Sequence, residues 1–382
     1  MDASSTVIVG AGLAGYTLAK ELRKLAPDHP ITLVTADSGV LYSKPMLSNA
    51  LAQGHAPESL VQAQAADQAD KLGIRVLPHC AVNAINREGK WLETDDGPLS
   101  YGRLVLALGA RPRRPDFSGA EAMFSVNHLD DYARFRAQLF PRARVIILGA
   151  GLVGCEFAND LMLSGHLVTL VETAPQPLGN LVPPALARRL WDGLAAMGVA
   201  CRCASGIARV KAMPDGYLVE LLDGEWLEAD LLLSAIGLQA ETELAAAAGL
   251  EVGRGIVVDG YLSTSDPDIF ALGDCAQVEG LSLPYVLPLM QQARALAVTL
   301  AGTPTRLSLQ ALPVAVKTPA CPLVLCMPPA NSVGNWQQER DDASGAAYLF
   351  MDEAGGVLGF ALAGDACSQR RQLAGRVPAL LG

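Results

Sequence analysis

Two stretches of the chain share one pattern of apolar and polar positions. Residues 7–20 (VIVGAGLAGYTLAK) and residues 146–159 (IILGAGLVGCEFAN) each begin with a short apolar run without polar alternation. Such a run is typical of a parallel strand that is buried on both faces. Each run then passes through glycines into a pattern of helical period. The repeat therefore predicts two copies of a strand–turn–helix unit.

Further apolar runs extend each copy into a sheet. After the first copy come ITLVT at 31–35 and RLVLALGARP at 103–112; after the second come LVTLVE at 167–172, YLVELLD at 217–223 and DLLLSAIG at 230–237. Strands that alternate with helical segments build parallel sheets. We therefore expect an α/β protein with two Rossmann-like units, each a doubly wound parallel sheet that contains the runs of its own copy.

The last part of the chain has a different pattern. The run DIFALGDCA at 268–276 is followed by a helical pattern over about 287–300, and residues 301–313 resemble a linker. Beyond 313, the runs PVAVKTPACPLVLCMP and AAYLFMDEAGGVLGFALAG read as strands with an intervening loop. This part predicts a small C-terminal α+β domain over residues 313–382.

Composition narrows the class of protein. Hydrophobic residues make up 51% of the 382 residues and the formal net charge is −10, which fits a globular protein and disfavours nucleic acid as a partner. No uncharged apolar run is long enough to cross a membrane, and the first strand begins too early for a signal peptide. We expect no membrane insertion, a cytoplasmic location, and eight cysteines that are mostly buried thiols.

The first glycine motif predicts a dinucleotide site. The first glycine allows a tight turn out of the strand, the second lets the backbone approach a pyrophosphate, and the third lets the helix pack against the sheet. The helix N-terminus then faces the phosphates with unpaired N–H groups. The acid that usually follows about 20 residues later is missing, because Thr35 occupies its place and Asp37 lies two residues further on. The motif consists of Gly10, Ala11, Gly12, Leu13, Ala14 and Gly15.

The second glycine motif predicts a site for NADH. Here the acid is present, since Glu172 ends the LVTLVE run and could accept hydrogen bonds from both ribose hydroxyls. The same carboxylate would repel a 2′-phosphate, which favours NADH over NADPH. The motif consists of Gly149, Ala150, Gly151, Leu152, Val153 and Gly154.

A third segment decides which cofactor belongs to which unit. Gly273 and Asp274 follow the DIFAL run, and Asp274 could accept a hydrogen bond from the ribityl chain of a flavin. The order GAGLAG, LALGARP, GAGLVGCEFA, SAIG and DIFALGDCA resembles the FAD-dependent pyridine nucleotide oxidoreductases of the glutathione-reductase type, over nearly the whole chain up to residue 300.

The resemblance implies a division into domains and a set of cofactor residues. Residues 1–110 and 238–312 would form a discontinuous FAD-binding domain, with residues 111–237 inserted as the NADH-binding domain. Besides the first motif, Thr35 and Asp37, the resemblance assigns to FAD the residues Lys44, Pro45, Val82, Ala107, Gly109, Glu156, Gly273, Asp274, Val286 and Lys317. To NADH it assigns the second motif, Glu172, Ala235 and Gly237.

The disulfide-reducing members of the family carry a CxxxxC pair beside the flavin, and this chain does not. The corresponding region reads GVLYSKPMLSNAL, without cysteine. The pair Cys321 and Cys326 lies in a strand-like run of the last domain, where two side chains five residues apart point to opposite faces. Electrons are therefore expected to leave directly from the flavin.

The segment that replaces the cysteine pair resembles an element of reductases that supply iron–sulfur proteins or rubredoxin. Lys44 in this segment is expected beside the isoalloxazine ring and paired with Glu156, and these two are the predicted catalytic residues. Lys317, in VAVKTPACP, resembles a second basic residue near the flavin. No histidine has a partner at metal-ligand spacing, so no metal site is predicted.

The sequence thus predicts a monomeric enzyme that passes electrons from NADH through FAD to a one-electron iron protein. The resemblance favours a rubredoxin in a bacterial alkane-hydroxylation chain. A ferredoxin reductase or the flavin module of a nitrite reductase would share every motif named above. An NADH oxidase or peroxidase is a more distant alternative because it usually keeps a cysteine beside the flavin, and a redox-sensing flavoprotein is a non-enzymatic one.

Overall fold

A computed structural model describes residues 5–381 of the chain. The strands up to the second glycine motif are β1 Thr6–Val9, β2 Ile31–Val34, β3 Leu41–Tyr42, β4 Val61–Ala63, β5 Arg75–Leu77, β6 Val82–Asn86, β7 Trp91–Thr94, β8 Gly97–Ser100, β9 Arg103–Leu106, β10 Ala110–Pro112 and β11 Arg144–Leu148. The next strands are β12 Leu167–Val171, β13 Ala200–Arg202, β14 Ile207–Met213, β15 Gly216–Leu221, β16 Trp226–Ala229, β17 Leu231–Ser234 and β18 Leu238–Ala240. The last are β19 Ile256–Val258, β20 Ile269–Ala271, β21 Ala276–Val278, β22 Val314–Val316, β23 Leu323–Cys326, β24 Asn335–Asp341, β25 Gly345–Met351 and β26 Val357–Gly364.

Helices connect most of these strands. The α-helices are α1 Leu13–Leu25, α2 Pro57–Leu60, α3 Ala65–Leu72, α4 Leu129–Gln138, α5 Leu152–Leu163, α6 Pro184–Ala196, α7 Glu243–Ala247, α8 Val286–Leu300 and α9 Arg370–Ala374. Short 3-10 helices span Lys44–Asn49, Ala120–Ala122, Gly179–Leu181, Gly273–Cys275 and Asp365–Gln369. Within residues 5–381, no helix has the length and apolar character needed to cross a membrane.

The first sheet has the order β20-β9-β1-β2-β5, and its strands are parallel. Strands β1, β2, β9 and β20 are largely buried, as their apolar runs predict, because both faces of a parallel sheet are usually covered. The edge strand β5 is only partly buried. Helices α1 and α8 pack against one another beside this sheet. The carboxyl ends of β1, β9 and β20 therefore bring the first glycine turn, Ala107 and Gly273 to one edge.

The second sheet has the order β13-β12-β11-β17 and is also parallel. The α/β fold class with two Rossmann-like units is confirmed. One assignment was wrong, because the run at 217–223 lies outside the parallel sheet. It forms β15 of an antiparallel meander, β14-β15-β16. Only a few residues connect these three strands, whereas a parallel connection needs a dozen or more.

Two short antiparallel strands cross between the two units. Strand β10 pairs with β18, with Ala110 opposite Ala240 and Pro112 opposite Leu238. A chain that leaves one unit and returns from the other would pass here twice in opposite directions. The domain boundaries at residues 110, 237 and 312 stay a prediction.

The C-terminal part is a five-stranded antiparallel sheet with the order β22-β23-β26-β25-β24. One face packs into the core of the second unit, and the other face forms a separate core with α9. Cys321 lies in the first of these cores and Cys326 in the second, which places the two thiols on opposite faces as expected. The expected linker at 301–313 is partly buried, since Leu307 and Leu309 lie in the core of the first unit.

Candidate active site

In the first glycine turn, two of the three positions have no room for a side chain, so only glycine fits there. Gly10 has φ +115°, and a Cβ there would lie 2.3 Å from the carbonyl oxygen of Ala107. A Cβ on Gly15 would lie 2.0 Å from the carbonyl oxygen of Gly10. At Gly12, which precedes helix α1, a Cβ would meet no atom within 4 Å. The open side at Gly12 fits the approach of a pyrophosphate to the helix N-terminus.

The second glycine turn repeats this geometry. Gly149 has φ +103°, and its Cβ would lie 2.7 Å from the carbonyl oxygen of Ala235. A Cβ on Gly154 would lie 1.9 Å from the carbonyl oxygen of Gly149. Gly151 precedes helix α5 and again faces open space. Both turns therefore fit a dinucleotide, with Ala107 and Ala235 as equivalent neighbours on the adjacent strand.

Glu172 is held against the second glycine turn. Its carboxylate accepts the backbone N–H of Ala150 at 2.7 Å and that of Ala174 at 2.9 Å, and it also accepts the hydroxyl of Thr173. The carboxylate is half-buried at the end of β12. It is therefore fixed where the ribose of a dinucleotide in this turn would lie.

The first unit has a different arrangement at the equivalent strand end. Thr35 is buried, and its hydroxyl donates to Oδ1 of Asp37 at 2.8 Å. The N–H of Gly39 donates to the same oxygen at 2.9 Å. Oδ2 of Asp37 has no hydrogen-bond partner among the described residues, and the side chain is exposed. Asp37 can therefore offer an oxygen to a ribose hydroxyl, two residues later than the usual acid.

Asp274 lies at the carboxyl edge of the first sheet. The N–H of Gly273 donates to Oε1 of the buried Gln292 on α8 at 2.7 Å, which fixes the turn that carries Asp274. Burial raises the pKa of the Asp274 carboxyl, and the positive charge of Lys44 partly offsets this effect. The charges of Lys44 and Asp274 therefore influence each other although 230 residues of sequence separate them (274 − 44 = 230).

Lys44 is a cation without a direct partner. Its Nζ makes no hydrogen bond or ion pair with any of the residues described. Burial lowers the pKa of Lys44, while the negative charges of Asp274 and Asp131 act in the opposite direction. Burial also lowers the pKa of His128 at the start of α4, with the charge of Lys44 as a second cause. The site can therefore use Lys44 to stabilise a negative charge placed beside it.

The expected pairing of Lys44 with Glu156 was wrong. Glu156 is buried on α5, where it pairs with Nζ of Lys317 at 2.9 Å and accepts the Lys317 backbone N–H at 2.9 Å. The hydroxyl of Ser48 donates to the same carboxylate at 2.5 Å. Lys317 also donates to the carbonyl oxygen of Pro45. The tertiary fold places Lys317, the residue after β22, against Glu156, and no hydrogen bond or ion pair joins Glu156 to Lys44 among the described residues.

The other predicted residues lie on several elements. Gly109 precedes β10, Gly237 precedes β18, Val82 begins β6, and Val286 begins α8 with an exposed side chain. Ala11, Leu13, Ala14, Leu152 and Val153 belong to the two glycine turns or to the first turns of their helices. Which of these residues touch a cofactor stays a prediction.

Sequence reasoning missed three polar residues of this region, namely Ser48, Gln292 and Asp160. All three are buried and hydrogen-bonded. Asp160 could have been found from the sequence, because it lies four residues after Glu156 on a mostly apolar helix. A carboxylate at that spacing shares the face of Glu156 and must find its own partners when the helix is buried.

Comparison with known proteins identifies the family. The profile of the pyridine nucleotide-disulphide oxidoreductases matches residues 4–297. The chain belongs to this family. A second profile, the rubredoxin binding C-terminal domain, matches residues 306–377. The chain is therefore an FAD-dependent oxidoreductase that uses NADH, and the glycine turns described above are the sites that fit these two cofactors.

Individual relatives agree with this assignment. The chain is 43% identical to the Rubredoxin-NAD(+) reductase of Acinetobacter baylyi, over 98% of each chain. It is 41% identical to the Nitric oxide reductase FlRd-NAD(+) reductase of Aeromonas hydrophila, over 97% of this chain and 96% of the relative. Its fold matches the reductase in the covalent putidaredoxin reductase-putidaredoxin complex with a TM-score of 0.88 and 29% identity, over 98% of this chain and 94% of the other.

Proposed function

We propose that this flavoprotein reduces a rubredoxin. The observation that carries the proposal is the match of residues 306–377 to the rubredoxin binding C-terminal domain. The relative from Acinetobacter baylyi, which is similar over the full length, supports the same acceptor. The absence of cysteine from the segment around Lys44 also supports it, because no thiol pair there could compete for the electrons.

The residue roles follow from the two turns and the buried charges. Gly10, Gly12 and Gly15 would hold the FAD pyrophosphate, with Asp37 at its ribose and Asp274 at its ribityl side. Gly149, Gly151 and Gly154 would hold NADH, with Glu172 at its ribose. When bound, FAD supplies the conversion of a two-electron hydride donor into a source of single electrons. The protein supplies binding, orientation and charge.

Lys44 and Lys317 have different proposed roles. Lys44 is the unpaired cation and would stabilise negative charge on the flavin ring, because a desolvated charge acts strongly at short range. Lys317 is engaged by Glu156, Ser48 and Pro45, so it would position the segment that carries Lys44. Pairing with Lys317 keeps the Glu156 carboxylate from being a buried charge without a counter-ion.

Three finer features complete the proposal. A monomer is proposed because the C-terminal sheet already packs one face into the second unit and covers the other with α9. A reducing cytoplasmic environment is proposed because the eight cysteines, all among the described residues, are free thiols. A role in alkane hydroxylation is proposed from the sequence resemblance alone.

The test uses the FAD-loaded protein with NADH and three acceptors in parallel: a rubredoxin, a two-iron ferredoxin and ferricyanide. Rubredoxin should be reduced with a kcat/KM at least about 10-fold above that of the ferredoxin, a difference of about 1.4 kcal/mol. Ferricyanide reports whether the flavin accepts electrons from NADH at all. If the ferredoxin is preferred while ferricyanide is reduced normally, the acceptor assignment is wrong and the cofactor assignment stands.

Lys44→Ala separates a role in flavin chemistry from a role in docking. We expect it to slow rubredoxin reduction about 3–10-fold, because the loss of this cation would affect both the flavin and the encounter with a charged protein acceptor. The slowing should be smaller with ferricyanide. Equal slowing with both acceptors would assign Lys44 to the flavin alone. Lys71→Ala is a suitable control, because Lys71 is exposed near the end of α3.

A second acceptor is favoured by a specific relative. The Nitric oxide reductase FlRd-NAD(+) reductase of Aeromonas hydrophila is nearly as similar to this chain as the rubredoxin reductase is. We therefore include FlRd as a fourth acceptor in the same assay. A higher kcat/KM for FlRd than for an isolated rubredoxin would place this protein in nitric oxide reduction instead of alkane hydroxylation.

A further inference from the structure

Three buried polar side chains of helix α5 bind two loops, one around residues 48–52 and one around residues 317–320. Glu156, Asn159 and Asp160 are 6%, 2% and 2% exposed, although the helix belongs to the second unit and lies among apolar neighbours. Glu156 binds Ser48 and Lys317, and Oδ1 of Asn159 accepts the backbone N–H of Ala320 at 3.0 Å. Residues of the first unit, the second unit and the C-terminal sheet thus meet on one face of this helix.

Asp160 contacts the segment that follows Lys44. Its Oδ2 accepts the backbone N–H of Leu51 at 3.0 Å, and its Oδ1 accepts the backbone N–H of Ala52 at 2.9 Å. These two residues follow Ala50, the residue that ends the 3-10 helix Lys44–Asn49. One carboxylate therefore ties the helix that starts at the second glycine turn to the segment that carries Lys44.

Charged and titratable groups from each neighbouring element face Asp160. Glu156 lies one turn earlier on α5, Lys317 lies on the C-terminal segment, and Tyr132 lies on α4, where Arg136 donates to its hydroxyl. Burial raises the pKa of Asp160 to about 6; the two amide hydrogen bonds and Lys317 oppose this shift, and Glu156 adds to it. The carboxyl therefore takes up a proton as the pH falls through about 6.

A cavity that opens to solvent lies beside Asp160. Asp160, Asn159 and Lys317 line this cavity of about 330 Å³, together with Asn49 and Gln53 from the end of the Lys44 segment. Asp160 is 2% exposed, and the cavity is the side from which solvent can approach it. Proton uptake converts one of the two acceptor oxygens into a hydroxyl, which can no longer accept an N–H in the same way.

We propose that Asp160 is a positioning residue that aligns the NADH-binding helix with the Lys44 segment and releases this alignment when it is protonated. The proposal rests on the proposed role of Lys44 beside the flavin. When ionised, Asp160 binds both amides and fixes the distance between the two sites. Hydride transfer requires reacting atoms held in near-attack geometry, so a small displacement of either site should lower its rate.

The first experiment measures flavin reduction by NADH in the stopped flow, between about pH 5 and pH 8, with the FAD-loaded protein. In the parent, the limiting rate should fall below about pH 6. Asp160→Asn, which cannot offer two acceptor oxygens, should be slower by about 10-fold near neutral pH and should lack this step. The dissociation constant for NADH should change little, and Asp215→Asn, at an exposed turn residue, should match the parent.

A second measurement does not depend on activity. Hydrogen exchange of the peptide containing Leu51 and Ala52, corrected for the intrinsic pH dependence, should show protection that weakens in the parent as the pH falls below about 6. In Asp160→Asn, protection should be low throughout. If Asp160→Asn does not fold, the exchange profile of the parent alone tests the proposal. Protection of this peptide that stays unchanged across the pH range would overturn the proposal.

The two measurements also distinguish this proposal from the proposed function. A protein that fails to reduce rubredoxin can still be tested by NADH-dependent flavin reduction and by exchange, so loss of the acceptor assignment leaves these results intact. Suppose that hydrogen exchange responds to pH but the rate of flavin reduction does not. The hydrogen bonds of Asp160 would then have no effect on hydride transfer, and the proposal would be overturned. A pH step retained in Asp160→Asn would also overturn it.

Discussion

The two glycine turns have nearly the same geometry, but the residues at the neighbouring strand ends differ. In both turns the first glycine lies against an alanine carbonyl of the neighbouring strand, and the middle glycine faces open space. In the second unit, Glu172 is hydrogen-bonded to the N–H of Ala150 in the turn itself. In the first unit, Thr35 and Asp37 lie at the equivalent strand end, where the Thr35 hydroxyl donates to Asp37.

The glycine motif therefore specifies that a dinucleotide binds, but it does not specify which dinucleotide. The steric demands of a strand–turn–helix with a close phosphate are the same for FAD and NADH. The choice depends on groups outside the turn. In the second unit the proposed group is the local carboxylate of Glu172, whereas in the first unit the proposed groups, Lys44 and Asp274, come from distant parts of the chain.

The largest expected effect comes from the first glycine of each turn. An alanine at Gly10 or Gly149 would combine an unfavourable positive φ with overlap of a neighbouring carbonyl, each costing about 1–3 kcal/mol. Gly10→Ala should yield protein without bound FAD, measured by absorbance after purification. Gly149→Ala should stay yellow but lose reduction by NADH. Gly375→Ala is the control, because Gly375 is exposed, has φ −71° and would place a Cβ no closer than 3.5 Å to another atom. A colourless Gly149→Ala protein would show that the two units do not act separately.

The next effect concerns Asp274, which exists only in the first unit's site. Asp274→Ala should weaken FAD retention by about 1.5–3 kcal/mol, the range for a hydrogen bond that involves a charged group. Titration of the FAD-free protein with FAD, followed by fluorescence quenching, measures this loss. Asp215→Ala should bind FAD as the parent does. Unchanged affinity in Asp274→Ala would remove this residue from the flavin site.

A smaller effect is expected at Glu172, the acid that distinguishes the second unit. Glu172→Gln should raise the KM for NADH about 10-fold, since a charged acceptor of two ribose hydroxyls becomes a neutral one. The KM for NADPH should rise less or fall, because the repulsion of the 2′-phosphate disappears. Steady-state kinetics with both donors and ferricyanide measure the ratio, with Glu251→Gln as an exposed control. Equal use of both donors by the parent would contradict the assigned role.

The smallest effect is expected from the thiols, which neither unit uses. Burial raises the pKa of Cys201 and Cys326 to about 11, so at neutral pH both are present almost entirely as unreactive thiols. Treatment of the native protein with a thiol-blocking reagent should leave the NADH-to-ferricyanide rate within about 20% of the untreated value. Reductive titration should consume two electrons per flavin; four would reveal a redox-active thiol pair.

In the C-terminal part, the hydrophobic pattern predicted the strands but not how they pack. Its strands were expected, and Cys321 and Cys326 do lie in different cores. The packing of the sheet into the second unit was not expected, nor was the burial of Leu307 and Leu309 in the segment taken for a linker. A short run of mixed residues carries too little periodicity to show which of its apolar side chains are buried.

By itself the sequence determined the two strand–turn–helix units, the positions of their glycines and the strand-end acid of the second unit. These features are local, because a tight turn, a positive φ and a helix N-terminus involve residues close together in the chain. The partners of the buried charges depend on tertiary contacts. Glu156 pairs with Lys317 instead of Lys44, Asp160 accepts the N–H groups of Leu51 and Ala52, and Lys44 and Asp274 shift each other's pKa without forming an ion pair. Each of these interactions joins residues more than a hundred positions apart, so no local pattern in the sequence reveals it.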